Sequence, residues 1–440
     1  MPSKHCYLIS FWFILLSIWS VAEARTPYYP QVNSDYALNL QLEDRKGHIW
    51  FTDPHEGFVE YDGRNWWLHK IPEKDLYRVR PWYSTITQDQ EGELYFQTDF
   101  TPPGWLSSFG YPVYYYFNRN SDLIPLQKPE STPCYTASKN VKNDMDSVHC
   151  RLLFDQKNRM YLDLSISLQA ESKGSIQEYY RLEGSRWVSL LDRYQLPEHI
   201  RRYWGGIPKG DVYLGLSFDR QNRLWFNFFS TTEPAKSLLI LVDNQEKVHL
   251  YPNHDLYFKD SRGNIWSIYH PQPGIDKLVR LNSSNNWVPD NFMAEFKQFP
   301  SLHEDLNGDL WAITGNQDIY QRFNRTWKKM YSVPKYITAL AFDKNNLLWA
   351  STGNDIIRFH KGKQTRWSEV LYLESDASEH PHYGVDSIFV DRRNNKWFQF
   401  SDDYMVGYER TYHKTPLMFD GENWQFIWTS PLLDSPNNGR

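Results

Sequence analysis

The chain has 440 residues and is mildly acidic, with 48 Lys and Arg against 53 Asp and Glu. Composition supplies no basic face and no long run of like charge, which sets duplex nucleic acid aside as a partner. Aromatic residues make up 17% of the chain, with 19 Trp and 30 Tyr, an enrichment that suits pleated strands and stacking surfaces alike.

The first element in chain order is an export signal. Lys4 and His5 precede an apolar run from Cys6 to Ala22, and Ala22-Glu23-Ala24 forms a small-x-small cleavage site. Residues 1–24 are therefore expected to be a signal peptide, with Arg25 the first mature residue and 25–37 an N-terminal segment. An uncleaved anchor is the alternative, since the run is nearly long enough to span a bilayer. No later segment reaches spanning length, so the mature protein is expected in the periplasm or secreted, with no membrane span. Only Cys134 and Cys150 then remain, an even number for an oxidising compartment. A disulfide between them is expected, against the alternative of two free thiols. In the chain-entropy picture it contributes about 3 kcal/mol.

From residue 38 to 428 the chain repeats itself. An aspartate is followed six residues later by Trp or Tyr in eight copies: Asp44/Trp50, Asp89/Tyr95, Asp155/Tyr161, Asp219/Trp225, Asp260/Trp266, Asp305/Trp311, Asp343/Trp349 and Asp391/Trp397. Position +3 is always Gly or Asn: Gly47, Gly92, Asn158, Asn222, Gly263, Gly308, Asn346 and Asn394. Those residues tolerate a left-handed backbone, and Asp favours the start of a type I turn. Each copy thus reads as a hairpin, strand–turn–strand. Position +5 is apolar except at Lys396, and position −3 is apolar except at Gln41, as expected of two arms facing a shared core.

A second turn follows in most copies, as in Tyr61-Asp62-Gly63-Arg64-Asn65-Trp66 and Phe419-Asp420-Gly421-Glu422-Asn423-Trp424. Leu182 to Trp187 is close, Phe323 to Trp327 is one residue shorter, and Asn282 to Trp287 and Lys361 to Trp367 are looser, each read as a turn before an aromatic strand start. Two hairpins per unit make a four-stranded antiparallel sheet, and eight sheets make an all-β propeller. Seven blades plus an appended sheet is the structural alternative. Residues 26–35 are a candidate strand for the last blade, and 429–440 a C-terminal tail.

These motifs resemble the two-component regulator propeller repeats. Asp260-Ser261-Arg262-Gly263-Asn264-Ile265-Trp266 and Asp305-Leu306-Asn307-Gly308-Asp309-Leu310-Trp311 match that pattern best, and Asp343 to Gly353 extends it into the next strand. The resemblance implies a ligand-binding sensor propeller, often periplasmic and in several cases recognising glycan fragments. This chain departs from the usual plan in having neither a second membrane span nor a kinase after the propeller.

Spacing marks where the copies diverge. The second and third units carry insertions that hold Pro102-Pro103-Gly104-Trp105, Tyr114-Tyr115-Tyr116 and Arg201-Arg202-Tyr203-Trp204. The eight aspartates and their aromatic partners are expected to be structural. Candidate ligand-binding residues are instead those entering a first strand: Arg78, Arg80 and Trp82; Arg201, Arg202 and Trp204; His380, His382 and Tyr383. A guanidinium pairs with carboxylate and aromatic rings stack on sugars, so a glycan or another anionic ligand fits. A cell-envelope protein is the other partner considered.

No catalytic or cofactor motif is present: there is no Gly-x-Ser-x-Gly elbow, no His-Glu-x-x-His and no P-loop. No cofactor is expected. His380-Pro381-His382 beside Glu379 could present two imidazoles to a metal but lacks a third ligand, and Asp53-Pro54-His55-Glu56 reads as a polar turn. A binding propeller is the leading expectation, and a propeller-fold lyase or glycosidase the alternative.

Overall fold

The computed structural model describes residues 26–27, 38–53, 57–70, 85–100, 111–117, 123–126, 132–140, 147–168, 174–196, 212–230, 237–272, 274–291, 293, 296, 299–324, 326–352, 355–367, 383–406, 409–413 and 416–426. They form an all-β ring of eight blades, each with four antiparallel strands in chain order from the innermost outward; the first blade gains a fifth strand, Thr26–Pro27, and the eighth a fifth, Glu409–His413, paired to its second. The blades span 39–70, 85–125, 147–189, 212–252, 254–289, 301–332, 339–367 and 383–426. Eight complete sheets rule out the seven-blade alternative.

The repeat rule holds at the backbone. All eight +3 residues have positive φ, from 59° at Asn222 to 95° at Gly92. In each copy the +3 amide donates to the aspartate carbonyl, and the aspartate amide donates to the +4 carbonyl. Each turn therefore closes between the first and second strands, at one end of its blade. Three further turns share this geometry. Asp243 opens one with Glu246 left-handed at φ 61°, Asn282 another with Asn285 at φ 59°, and Thr314 a third with Gln317 at φ 60°. Trp367 ends its strand, Lys363–Trp367, rather than starting it; the turn lies at Lys361–Gly362, both left-handed.

Second strands carry the packing, because each is covered by a neighbouring blade on both sides. The +6 aromatic packs onto the following blade and the +7 residue onto the preceding one. Trp349 thus joins Val385 and Phe398 of the eighth blade, while Ala350 joins Ile313 and Ile319 of the sixth. Position +7 holds Phe51, Phe96, Leu162, Phe226, Ala312, Ala350 and Phe398, and in blade five alone a polar residue, Ser267.

The ring closes without exchanging a strand. Trp397 and Met418 of the eighth blade share a cluster with Leu38, Ile49, Phe51, Val59 and Leu68 of the first. Gln399 Oε1 accepts the Leu40 amide at 2.9 Å, and Glu43 accepts the Arg392 amide at 3.0 Å. Gly63 has φ 92°, a backbone that favours glycine, and the Arg393 guanidinium lies over it at that seam. The N-terminal strand Thr26–Pro27 pairs with Leu68 and Trp67 on the outer edge of the first blade, not with the last blade. It covers an exposed sheet edge, a common protection. The Cys134–Cys150 disulfide is formed and pins the short helix Pro133–Asn140 to the innermost strand of the third blade, Ser147–Phe154.

Candidate functional site

The aspartate ladder is structural. All eight side chains are buried. In every copy Oδ1 accepts the +2 and +4 amides, as Asp343 does from Asn345 at 2.9 Å and Leu347 at 3.0 Å. Oδ2 accepts the ring N–H of Trp50, Trp225, Trp311, Trp349 and Trp397 at 2.9–3.1 Å, and the hydroxyls of Tyr95 and Tyr161 at 3.4 and 3.3 Å. Trp266 is the exception: its indole points to Asp290, and Asn264 takes its place on Asp260. A buried carboxylate that accepts hydrogen bonds on both oxygens from its own turn and strand is committed to structure.

The opposite end of each blade differs. There the strands bound the connections that held the candidate residues. Lys70 pairs with Gly57 and Thr85 with Gln97, flanking 71–84; Val212 pairs with Ser230 after 197–211; Tyr383 pairs with Asp402 after 368–382. Each of these pairs lies at the far end from its Asp turn. Arg78, Arg80, Trp82, Arg201, Arg202, Trp204, His380 and His382 lie outside the described residues, as do Pro54, His55 and Glu56. Tyr383 is placed as the first residue of the eighth blade's innermost strand, Tyr383–Val390.

At this same end, blade five gathers a set of polar side chains that the sequence reading missed. His254 and Asp255 open the innermost strand, His254–Lys259, and His270 lies near the end of the second, Ile265–Gln272. His270 Nε2 is 2.9 Å from Asp255 Oδ2, and its Nδ1 is 2.7 Å from Asp276 Oδ1. His270 and Asp255 are buried, whereas the Asp276 side chain is 49% exposed. Burial pushes the Asp255 carboxyl up, against hydrogen bonds from Ser237 and His270. His254 stacks between Tyr269 and Trp287, with centroids 4.7 and 5.1 Å away, and its Nδ1 meets Ser267 Oγ at 3.0 Å. Desolvation pulls its imidazole down to about 4, so it is neutral at physiological pH. The signal available in the sequence was Ser267, the one polar +7 residue, which leaves room for that ring.

A second histidine set sits at the seam of blades one and two. Glu60, 1% exposed, lies between His48 Nδ1 at 2.5 Å and His69 Nε2 at 2.8 Å. The hydrogen bond to Glu60 raises the His48 imidazole above its ordinary value. Among the described residues, no group of three His, Cys, Asp or Glu side chains is arranged to hold a metal ion, and no helix is long and apolar enough to cross a membrane.

No protein-family model matches the chain, and no curated protein matches it. Similar solved structures include puromycin hydrolase, 9% identical over 88% of this chain and 60% of that one, with a TM-score of 0.42. Virginiamycin B lyase from Staphylococcus aureus is 11% identical over 62% and 95% of the two chains, at 0.33. The extracellular domain of a B. thetaiotaomicron protein named as a hybrid two-component system is 13% identical over 90% and 57%, at 0.25. This chain thus spans under two thirds of the first and third of these. At such identities and TM-scores the likenesses assign no activity.

Proposed function

We propose that this protein is an exported, non-catalytic propeller of the two-component regulator type that binds a glycan or other anionic ligand on the face opposite the Asp turns. The observation that carries this reading is the contrast between the two faces. On one, the described turns are short, and the polar groups of the eight Asp turns are spent on internal hydrogen bonds. On the other begin the strands entered from 71–84, 197–211 and 368–382, the segments that hold the Arg and aromatic candidates. Variable connections at one end of a rigid scaffold are where propellers and other repeat folds place recognition.

The blade-five cluster bears on the enzymatic alternative. Ser267 and His254 are spaced like a nucleophile and its base, but Ser267 is 0% exposed and His254 is stacked on both faces. Both nitrogens of His270 are already engaged by carboxylates. A base with no free lone pair and a hydroxyl with no route to substrate favour a binder over a hydrolase or lyase.

Thermal shift of the purified mature chain against acidic and neutral oligosaccharides tests the proposal. A hit should weaken at least about tenfold when Arg78, Arg80, Arg201 and Arg202 are replaced by Ala, since each lost bidentate contact removes a charge-assisted bond. Silence across the glycans would overturn the glycan reading and turn the search to a protein partner.

A further inference from the structure

We propose that Asp255, His270 and Asp276 form a proton-dependent clasp that ties the rim turn of blade five to that blade's innermost strand. This inference does not depend on what the propeller binds. A neutral imidazole has one N–H and one lone pair. Both ring nitrogens of His270 lie at hydrogen-bond distance from carboxylate oxygens, at 2.9 and 2.7 Å. With both acids ionised and the ring neutral, one nitrogen would turn its lone pair on an acceptor. The trio closes only while it holds one further proton, on the ring or on a carboxyl.

The two ends of the trio differ. Asp255 is the buried end: its Oδ1 has no hydrogen-bond partner among the described residues, and burial outweighs the Ser237 and His270 hydrogen bonds that favour its charge. Asp276 is the solvent end, through which a proton can leave.

The clasp sits where strand pairing is interrupted. Pairing between the two arms breaks register between Tyr269 and Gln272, and the turn passes through Gly274 at φ 74°. The His270–Asp276 bond therefore holds two arms that the ladder does not hold at that point. Among the described residues, no other group facing the trio substitutes for that proton. His254 is kept neutral by desolvation, Ser237 offers only a hydroxyl, and exposed Lys277 lies on the alternate side of its strand. As pH rises and the proton departs, one contact turns repulsive and the rim turn loosens.

Hydrogen exchange on the intact mature chain, corrected for intrinsic rates, reads this directly. Amides of the 268–278 peptide should lose about tenfold protection between about pH 5.5 and pH 8.5, while those of 348–352 stay constant. In Asp276→Asn the amide donates to the neutral ring without any shared proton, so the pH dependence should vanish and protection remain. A flat wild-type profile, or an Asp276→Asn profile that still changes as the wild type does, overturns the clasp. Ring ¹⁵N shifts of His270 and carboxyl ¹³C shifts of Asp255 and Asp276 in the wild-type protein give an independent reading: at least one should move over the same pH interval as the exchange, and constancy of all of them would also overturn it.

Discussion

Asn158 of the third blade donates its Nδ2 to Asp89 Oδ2 of the second at 3.0 Å, while its Oδ1 accepts the Gln90 amide at 3.0 Å. The +3 asparagine that makes the turn thus also fastens the blade to its predecessor. Asn222 does the same to Asp155 and Gln156, and Asn346 to Asp305 and Leu306. Asn394 accepts the Lys344 amide, and buried Lys396 reaches to 3.6 Å from Asp343. Where +3 is Gly there is no side chain to reach across. In three of the four Gly copies the residue before the aspartate takes over: Glu43 accepts from Arg392, Glu304 from Ser261, and Lys259 donates to Phe218, whereas Gln88 donates to Gly92 within its own turn. That position is Phe154, Phe218, Phe342 or Val390 in the Asn copies and Glu43, Gln88, Lys259 or Glu304 in the Gly copies.

Asn346 separates the two duties of that position. Asn346→Gly keeps the left-handed backbone and deletes both cross-blade bonds, for an expected loss of about 1–2 kcal/mol. Asn346→Ala deletes the same bonds and adds left-handed strain, for roughly 1 kcal/mol more. Urea unfolding midpoints give the order, and an Ala variant as stable as the Gly variant would refute the turn argument.

Trp397 carries the closing seam. It is 0% exposed, donates to Asp391 and packs on Phe51 and Tyr61 across the seam. Trp397→Ala should destabilise by about 3–5 kcal/mol. Exchange should rise most in Asn39–Glu43 and at Lys396 to Gln399, the two sides of the seam, and least in Leu310–Ile313.

The disulfide closes a loop with a sequence separation of 16. Replacing both cysteines by Ser should lower stability by about 3 kcal/mol. Melting temperatures of the two proteins without reductant check this, and equal values would show that the helix is held by its packing alone.

His254 sets an acid limb of stability. Its folded value of about 4 lies below the ordinary 6.5, so the unfolded chain takes up its proton first as pH falls. Stability should be intact above pH 6.5 and decline towards pH 4, by on the order of 2–3 kcal/mol. His254→Phe keeps the stack and removes the titration. Its melting temperature should fall less over that interval, and an equal fall would assign the acid limb elsewhere.

His48 sets the opposite limb. Its folded value is raised by Glu60, so its contribution is full below pH 6.5 and is lost as pH climbs through the folded value. His48→Gln can still donate to Glu60 without titrating. Between mildly acid and alkaline pH, the wild type should lose more melting temperature than this variant.

Much of the fold was legible because its constraints are local. An aspartate, a left-handed +3 residue and a +6 ring act within seven residues, and the eight copies count the blades. The candidate site was less legible. His270 and Asp255 are on different strands, and Asn158 meets Asp89 only when two blades come together. Lys396 breaks the apolar pattern at +5 for a reason that lies in the neighbouring blade. The strand Thr26–Pro27 could have joined either end of the chain, since two extended residues carry no register of their own.

What the sequence determined alone was therefore the repeating unit, its turns and the class of fold, because short-range backbone and hydrogen-bond geometry suffices for those. Tertiary structure decided how the ring is closed, which polar residues staple one blade to the next, and that His270 is shared between two carboxylates. Those outcomes depend on contacts between segments far apart in the chain, whose meeting is set by the packing of whole blades rather than by any local preference.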